Sequence, residues 1–224
     1  MKMTRFWLAA VIIMLIMLAA CATPTGPTRS VVVPNDTAAP AVQVQDIEAA
    51  LTRFMSEEGD QLILLPNRLD RTQLDYSIES LKHVDAWLAD IHTINRLQSE
   101  TGRAGEILVF DGRGDNSVVF AGLYLGQVIR AHSELDWQWQ RFDTFLAANP
   151  VFAEHYGQEP GLDTFVLVGP QGTATPINTA LKRVLYGKEE SVHFIAQLLL
   201  TEVDLDKALS GRDLLGMDRR GWAG

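Results

Sequence analysis

The chain has 224 residues, of which 47% are apolar and 21% charged, and it carries a net charge of −9. This apolar content excludes a wholly disordered chain, and the single cysteine excludes an intramolecular disulfide. The acidic balance disfavours binding to nucleic acid or to anionic lipid surfaces, because both attract a cationic footprint. A globular domain is the class that remains.

The first twenty residues have the layout of an export signal. Lys2 and Arg5 form a short basic region, and an uncharged apolar run follows over residues 6–20. A helix needs roughly 20 apolar residues to span a bilayer, so this run is short for a permanent anchor. It predicts a cleaved signal peptide over residues 1–20. An uncleaved signal anchor is the alternative.

The apolar run ends in Leu18, Ala19, Ala20 and Cys21, an order that resembles the lipobox of bacterial lipoprotein precursors. The resemblance implies cleavage before Cys21, a diacylglyceryl group on its sulfur and a further acyl chain, such as palmitate, on its amino group. Two or three acyl chains hold a protein on a membrane because each buried methylene contributes about 0.8 kcal/mol. Cleavage would remove both cations of the signal and no acid, so the net charge of −9 would become −11.

Ala22, rather than an aspartate, follows the cysteine. In the enterobacterial version of the family this implies transfer to the outer membrane. The expected location is therefore the bacterial cell envelope, with the domain lipid-anchored at the outer membrane and facing the periplasm.

Residues 21–44 are rich in Pro, Thr and Ala and predict an extended tether, because proline prevents a helix and removes sheet donors. The globular domain is expected over 45–205, and a loosely ordered tail over 206–224. A first amphipathic helix fits residues 46–57.

The clearest helix starts after Ser77, a favourable N-cap, with Glu79 in its first turn. Its apolar residues recur at intervals of three and four, which predicts one core-facing side. These residues are Leu81, Val84, Leu88, Ile91 and Ile94.

The middle of the chain predicts a buried strand over 107–110, a polar turn over 111–116 and a second helix from Ser117 to Ala131. That helix is apolar around most of its circumference and should be central. Gly122 and Gly126 lie four residues apart within it, a spacing that lets another backbone approach closely.

Trp137 and Trp139 alternate with glutamines and predict a half-buried strand. A helix from Asp143, a hairpin over 164–175 and helices over 178–186 and 189–203 follow. Helices and short strands in mixed order, without repeated strand–helix–strand units, predict an α+β fold in which helices pack on a small, mainly antiparallel sheet in a single domain.

Two short motifs occur near residue 113. The order of strand, glycine turn and helix resembles a dinucleotide site, but the third glycine is missing and Asp111 and Asp115 would repel phosphate. Arg113, Gly114 and Asp115 form a tripeptide that also occurs in integrin-binding loops, and a solvated turn is the preferred interpretation.

Metal and catalytic motifs are weak. Glu190 and His193 form a single Glu-x-x-His, whereas a carboxylate-bridged di-metal site needs two. Asp75, Ser77 and His83 could be combined as a hydrolytic triad, yet helix capping accounts for Ser77. We therefore predict no catalytic residue, no metal site and no cofactor.

A second resemblance covers about residues 60–200. The stretch Leu74-Asp75-Tyr76-Ser77-x-x-Ser80-Leu81 with Asp85 and Trp87, then Gly122-x-Tyr124-Leu125-Gly126 and residues 182–190, looks like a pattern in bacterial domains of uncharacterised function. The resemblance implies no established activity.

The candidate groove residues are Asp75, Tyr76, Trp87 and Tyr124. Aromatic side chains of this kind can line a shared binding groove. The alternative is that they belong to the core, where large aromatic residues are usually buried.

The sequence thus predicts a lipid-anchored envelope protein whose acidic domain binds another envelope component without catalysis. Its expected partners are the membrane, through acyl chains on Cys21, and an envelope protein, but no nucleic acid. The alternatives are a periplasmic enzyme acting on envelope material through Asp75, Ser77 or His83, and an immunity-like protein that neutralises a toxin.

Overall fold

The computed structural model describes residues 41–100, 112–156, 162, 164–170 and 172–201. The predicted signal peptide with Cys21, most of the tether, the predicted strand over 107–110 and the predicted tail lie outside these residues. The described residues belong to one compact unit with an α+β fold.

The elements alternate between helices and short strands. The helices are α1 (Ile47–Met55), α2 (Gly59–Leu62), α3 (Leu81–Glu100), α4 (Arg113–His132), α5 (Phe142–Ala148), α6 (Pro150–Tyr156), α7 (Pro176–Tyr186) and α8 (192–201 within the described residues). Short 3-10 turns occupy Pro66–Arg68, Arg71–Gln73 and Lys188–Glu190. The strands are β1 (Gln138–Arg141), β2 (Phe165–Gly169) and β3 (Gly172–Ala174).

Two residues before the predicted domain start at residue 45 already take part in the described fold. Val44 is only 7% exposed, and the Val42 N–H donates a hydrogen bond to Asn116 Oδ1 at 2.7 Å. Asp46 then caps α1, because its carboxylate accepts the Ala49 N–H at 2.7 Å. The last residues of the predicted tether are therefore part of the globular unit.

The predicted core face of α3 is confirmed. Leu81, Val84, Leu88 and Ile91 are all 1% exposed or less, whereas Ile94 is half-buried. Spacings of three and four residues place these side chains on one side of a helix, where they face the other elements.

The helix α4 begins four residues before its predicted start, so the predicted polar turn over 111–116 is wrong for residues 113–116. Gly112 precedes the helix with a φ of 68°, a conformation that glycine adopts without strain. Asn116, in the first turns of α4, is only 1% exposed. Its buried side-chain amide is satisfied, because it accepts from the Val42 N–H and donates to the Leu62 carbonyl at 3.0 Å. The polar residues there bind neighbouring backbone and do not mark a loop.

The two glycines of α4 pack closely inside the core, as predicted. A Cβ at Gly122 would lie 2.4 Å from the Ile177 Cα on α7, and one at Gly126 would lie 2.1 Å from the Trp139 indole on β1. Both distances are shorter than carbon atoms tolerate. Helix α4 is therefore the centre against which α7 and the sheet pack.

The sheet is antiparallel with strand order β1-β2-β3, and the hairpin of β2 and β3 was predicted. Alternation along β2 sends Phe165 and Leu167 into the main core and Val166 into a smaller cluster with Phe142 and Phe145. Both faces of the middle strand are thus covered. Helices packed on a small antiparallel sheet confirm the α+β fold class predicted from the sequence.

Candidate functional site

Two of the predicted groove residues do not line a groove. Trp87 and Tyr124 are 0% exposed, and both contact Phe120, at ring-centroid distances of 6.0 and 6.1 Å. Trp87 Nε1 also donates to the Leu64 carbonyl at 2.9 Å, so its one polar atom is satisfied within the fold. The prediction of an open aromatic groove is wrong for these two residues, which belong to the core.

Tyr76 and Tyr124 nevertheless form a pair. Their rings stack with centroids 4.8 Å apart, and the Tyr76 N–H donates to the Tyr124 hydroxyl at 2.8 Å. Tyr76 has a φ of 62°, which is unusual for a bulky side chain. Because this backbone conformation carries strain, the surrounding contacts must hold it in place.

The Tyr124 hydroxyl is fully hydrogen-bonded. Ser80 Oγ lies 2.7 Å from it and donates its single hydrogen to the Ser77 carbonyl at 2.6 Å. The Tyr124 hydroxyl must therefore donate to Ser80 Oγ while it accepts from Tyr76. Burial raises the pKa of the Tyr124 hydroxyl above its ordinary value of 10.0, so it stays protonated at neutral pH.

Asp75 and Ser77 shape the entry to α3. Asp75 is exposed, and its carboxylate accepts the Ser77 N–H at 2.9 Å. Side-chain and backbone hydrogen bonds from Ser77 lower the pKa of Asp75 below its ordinary value. Ser77 Oγ in turn accepts the Ser80 N–H at 3.1 Å and so caps the turn over residues 78–80 that leads into α3. The helix itself begins at Leu81, three residues after its predicted start.

The structure does not assemble a triad from Asp75, Ser77 and His83. His83 is exposed on α3. It is close to Asp70, whose pKa is lowered first by hydrogen bonds from Thr72 and also by the charge of His83. None of the hydrogen bonds of Ser77 among the described residues involves His83.

The histidine that reaches this region is His132, at the end of α4. Its Nε2 lies 2.9 Å from the Tyr76 carbonyl oxygen, so this nitrogen carries the proton and donates. The contact supports the strained Tyr76 backbone and leaves Nε2 unable to act as a base. No sequence signal links His132 to residues 56 positions earlier.

An open cleft of about 730 Å³ lies between residues 77–79, His132 and α8. Its apolar walls include Ile78, Phe194 and Leu198. Phe194 is 56% exposed and Leu198 41%. The predicted site residues Asp75 and Tyr76 adjoin this cleft at residues 77–79. The helix over 189–203 was predicted, but not as part of a site.

The sequence did carry a signal for α8. Apolar residues recur along the predicted helix over 189–203, and Val192, Ala196 and Leu199 contact the core. Phe194 and Leu198 do not belong to this core-facing side and lie one turn apart on another side of the same helix. Apolar residues on two sides of one helix indicate that a second side is used.

A buried ion pair holds α8 in position. Asp85 on α3 accepts from Arg183 Nε at 3.2 Å and from the backbone N–H groups of Val192 and His193 at 3.0 and 3.1 Å. Ser191 Oγ donates to the same carboxylate. Asp85 therefore caps α8 from another helix, which fixes the angle of one cleft wall.

The Glu-x-x-His pair does not lie on one helix. Glu190 is in a 3-10 turn, whereas His193 is in the first turn of α8 and approaches Glu79, with Nε2 to Oε1 at 3.8 Å. Among residues 41–100, 112–156 and the later described segments, no three His, Cys, Asp or Glu side chains are grouped so as to hold a metal ion.

The cleft thus offers apolar contact area with hydrogen-bonding groups at its edge, an arrangement suited to binding.

In the described part of the chain, no helix is both long and apolar enough to cross a bilayer. The chain matches no protein-family model and has no significant match among curated proteins or solved structures.

Proposed function

We propose that this chain is a lipid-anchored protein of the bacterial cell envelope, attached through Cys21, whose acidic domain binds another envelope component without catalysis. Support for the location comes from the resemblance of residues 18–21 to a lipobox at the end of a signal-length apolar run. Support for binding comes from the cleft beside α8.

The exposed apolar side of α8 is the observation that carries the binding role. Val192 and Ala196 are 0% exposed, so one side of the helix is already covered by the core. Phe194 and Leu198 lie on another side, are exposed and line a concave surface. A scattered surface leucine needs no explanation, but exposed apolar side chains grouped in a cleft are typical of interaction sites.

The hydrogen bonds around Ser77 favour binding over hydrolysis. A nucleophilic serine needs a base within hydrogen-bond reach of its hydroxyl. Ser77 Oγ instead accepts the Ser80 N–H, and His132 Nε2 donates to a carbonyl. Asp75 also hydrogen-bonds with Ser77, but its lowered pKa makes this carboxylate a weak base. This arrangement stabilises a turn and offers no activated nucleophile.

The location is tested with a Cys21→Ala variant in a bacterial host fed an alkyne analogue of palmitate. The unaltered protein should incorporate the label and sediment with membranes. The variant should lose both the label and the faster mobility that follows signal cleavage. An unlabelled wild-type protein that remains in the soluble fraction would contradict the anchor.

Binding is tested by placing a photo-crosslinking amino acid at Leu198 in living cells, with Gln61 as the matched control site. Gln61 is also exposed, but it lies on α2 near Arg113, at the opposite end of α4 from His132. An α-helix of 20 residues is about 30 Å long, so the two sites are well separated.

We expect one adduct from position 198 that is absent from position 61 and is lost when Phe194→Asp is added. Mass spectrometry should identify the captured molecule as an envelope component. Equal adducts from both positions, or an adduct that Phe194→Asp leaves unchanged, would argue against the cleft as the binding site.

A further inference from the structure

The chemistry of the cleft indicates what kind of partner it takes, if the proposed binding role holds. We propose that the cleft binds an amphipathic helix that presents two apolar side chains one turn apart and carries lysine or arginine beside them. This inference deepens the binding role and names the partner's chemistry. It rests on the shape of the α8 wall and on the charges at the edge of the cleft.

The α8 wall has helical periodicity. Phe194, Leu198 and Thr201 all line the cleft at positions i, i+4 and i+7. At 1.5 Å per residue these seven steps span about 10 Å, or two helical turns. A partner helix laid along such a wall buries side chains at its own i and i+4 positions, which is the usual form of helix-in-groove recognition.

The opposite wall is short and polar at its edge. Ile78 supplies its apolar contact, and Ser77 and Glu79 flank that side chain. An aromatic or branched aliphatic anchor from the partner would therefore lie between Ile78 and Phe194. An extended strand has no free sheet edge to join here, because both walls consist of helix and turn.

The edge of the cleft is acidic. Glu79 has 69% of its side chain exposed, and Asp75, bonded to Ser77, is also exposed. Lys82 pairs with Glu79, so one cation offsets one of these two acids. Among the described residues that line the cleft, His132 is the other group that can titrate, and His193 adjoins the cleft through Glu79.

The net charge of the chain points the same way. The whole chain carries −9, and electrostatic attraction over such a surface raises the association rate of a cationic partner. An acidic helix would meet repulsion both at the edge of the cleft and at longer range. Charge complementarity therefore selects a basic partner over an acidic or neutral one.

The test uses residues 21–224 with Cys21→Ser, so that no acyl chain can enter the cleft. The probe is a library of helical peptides with two apolar anchors at i and i+4, in which the neighbouring positions are Lys, Gln or Glu. We expect selection to enrich the lysine peptides at least tenfold over the glutamate peptides. Raising the salt concentration should reduce this ratio, because exposed charges are screened.

Phe194→Asp is the decisive variant, and Tyr186→Asp is its matched control. Tyr186 is 62% exposed at the end of α7 and does not line the cleft. Both variants add the same negative charge. If only Phe194→Asp abolishes enrichment, the loss comes from the apolar wall, since the added acid alone would attract lysine more strongly. Thermal unfolding of each variant checks that both remain folded.

Three results would overturn the proposal. The first is enrichment of glutamate or glutamine peptides over lysine peptides. The second is an equal enrichment of lysine peptides by the unaltered chain and by Phe194→Asp. The third is a dimer in sedimentation that Leu198→Asp dissociates, because the occupant would then be a second copy of the chain. An adduct from position 198 on an acidic or non-helical segment would reject this inference but leave the proposed binding role intact.

Discussion

A single hydroxyl organises the turn that leads into α3. Tyr124 OH accepts from the Tyr76 N–H and donates to Ser80 Oγ, and its ring stacks on Tyr76. A non-glycine residue with positive φ needs such support. Residues 77–79, which form one wall of the cleft, therefore depend for their position on Tyr124, which is buried and does not line the cleft.

Replacing Tyr124 with Phe should destabilise the domain by about 1–3 kcal/mol, because the Tyr76 N–H loses its acceptor and the buried Ser80 Oγ loses a donor. Chemical denaturation measures the change. Tyr186→Phe is the control, since that side chain is 62% exposed, and it should stay within about 0.5 kcal/mol of the unaltered chain. Equal effects of the two changes would contradict the role of the hydroxyl.

The same hydroxyl predicts a loss of stability in alkaline solution. Burial raises the pKa of Tyr124 above 10.0 in the folded state, so above that pH the folded chain holds a proton that the unfolded chain has released. Stability contributed by this group is complete below pH 10 and falls as the pH rises through the folded pKa.

Denaturation curves collected from pH 8 to 11 should therefore show a steeper decline for the unaltered chain than for Tyr124→Phe. The variant should still lose some stability over this pH range, because burial also raises the pKa of Tyr76. Parallel declines in the two proteins would show that Tyr124 does not contribute.

At the scale of elements, the contact between α3 and α8 depends on one carboxylate. Asp85 and Arg183 expose only 15% and 7% of their side chains. Removing one member of a buried pair leaves the other charge without compensation, which is more costly than the net value of the pair.

We expect Asp85→Ala to destabilise the domain by about 3–5 kcal/mol and to release the first turn of α8. Asp90→Ala is the control on the same helix, because its pair with Arg68 spans 3.9 Å between largely exposed side chains. That change should cost less than about 1 kcal/mol. Hydrogen exchange of the Val192 and His193 amides, faster only in Asp85→Ala, would locate the effect.

The contact between α4 and α7 depends on the absence of a side chain at Gly122. Helix propensity alone would favour alanine over glycine by about 1 kcal/mol. The new Cβ would, however, lie 2.4 Å from the Ile177 Cα, and backbone cannot move aside as a side chain can. We therefore expect Gly122→Ala to destabilise by about 1–3 kcal/mol despite its better propensity.

Gly126→Ala is the informative comparison for this prediction. Its Cβ would meet the indole of the half-buried Trp139 rather than backbone. Because a side chain can rotate, the cost should be smaller than at Gly122. A stabilising effect of alanine at Gly122, measured by thermal unfolding, would mean that the two helices can separate without penalty.

At the scale of the whole molecule, the proposed function combines two regions that work separately. In this proposal, the lipobox-like residues 18–21 determine where the protein is held, and the cleft beside α8 determines what it binds there. A variant at Cys21 should change location without changing peptide selection by the domain. A variant at Phe194 should do the reverse, and fractionation and selection experiments on the two variants would separate these effects.

Periodicity was sufficient to predict local structure. The face of α3, the central place of α4, the hairpin of β2 and β3 and the end of α7 at Gly187 all follow from spacings within one element. These patterns succeed because burial of one side of a helix or strand leaves a regular trace in the chain. The start of α4 was missed since Asn116 is polar for a reason that lies in another segment.

The sequence by itself determined the fold class, most elements and the expectation of a lipid anchor, because each depends on composition or on residues close together in the chain. Only the tertiary structure decided the site. It buried Trp87 and Tyr124, left His83 apart from Ser77, and brought His132 and α8 to the entry of α3. Which side chains share a cleft depends on contacts between residues more than 50 positions apart, and no local spacing encodes such contacts.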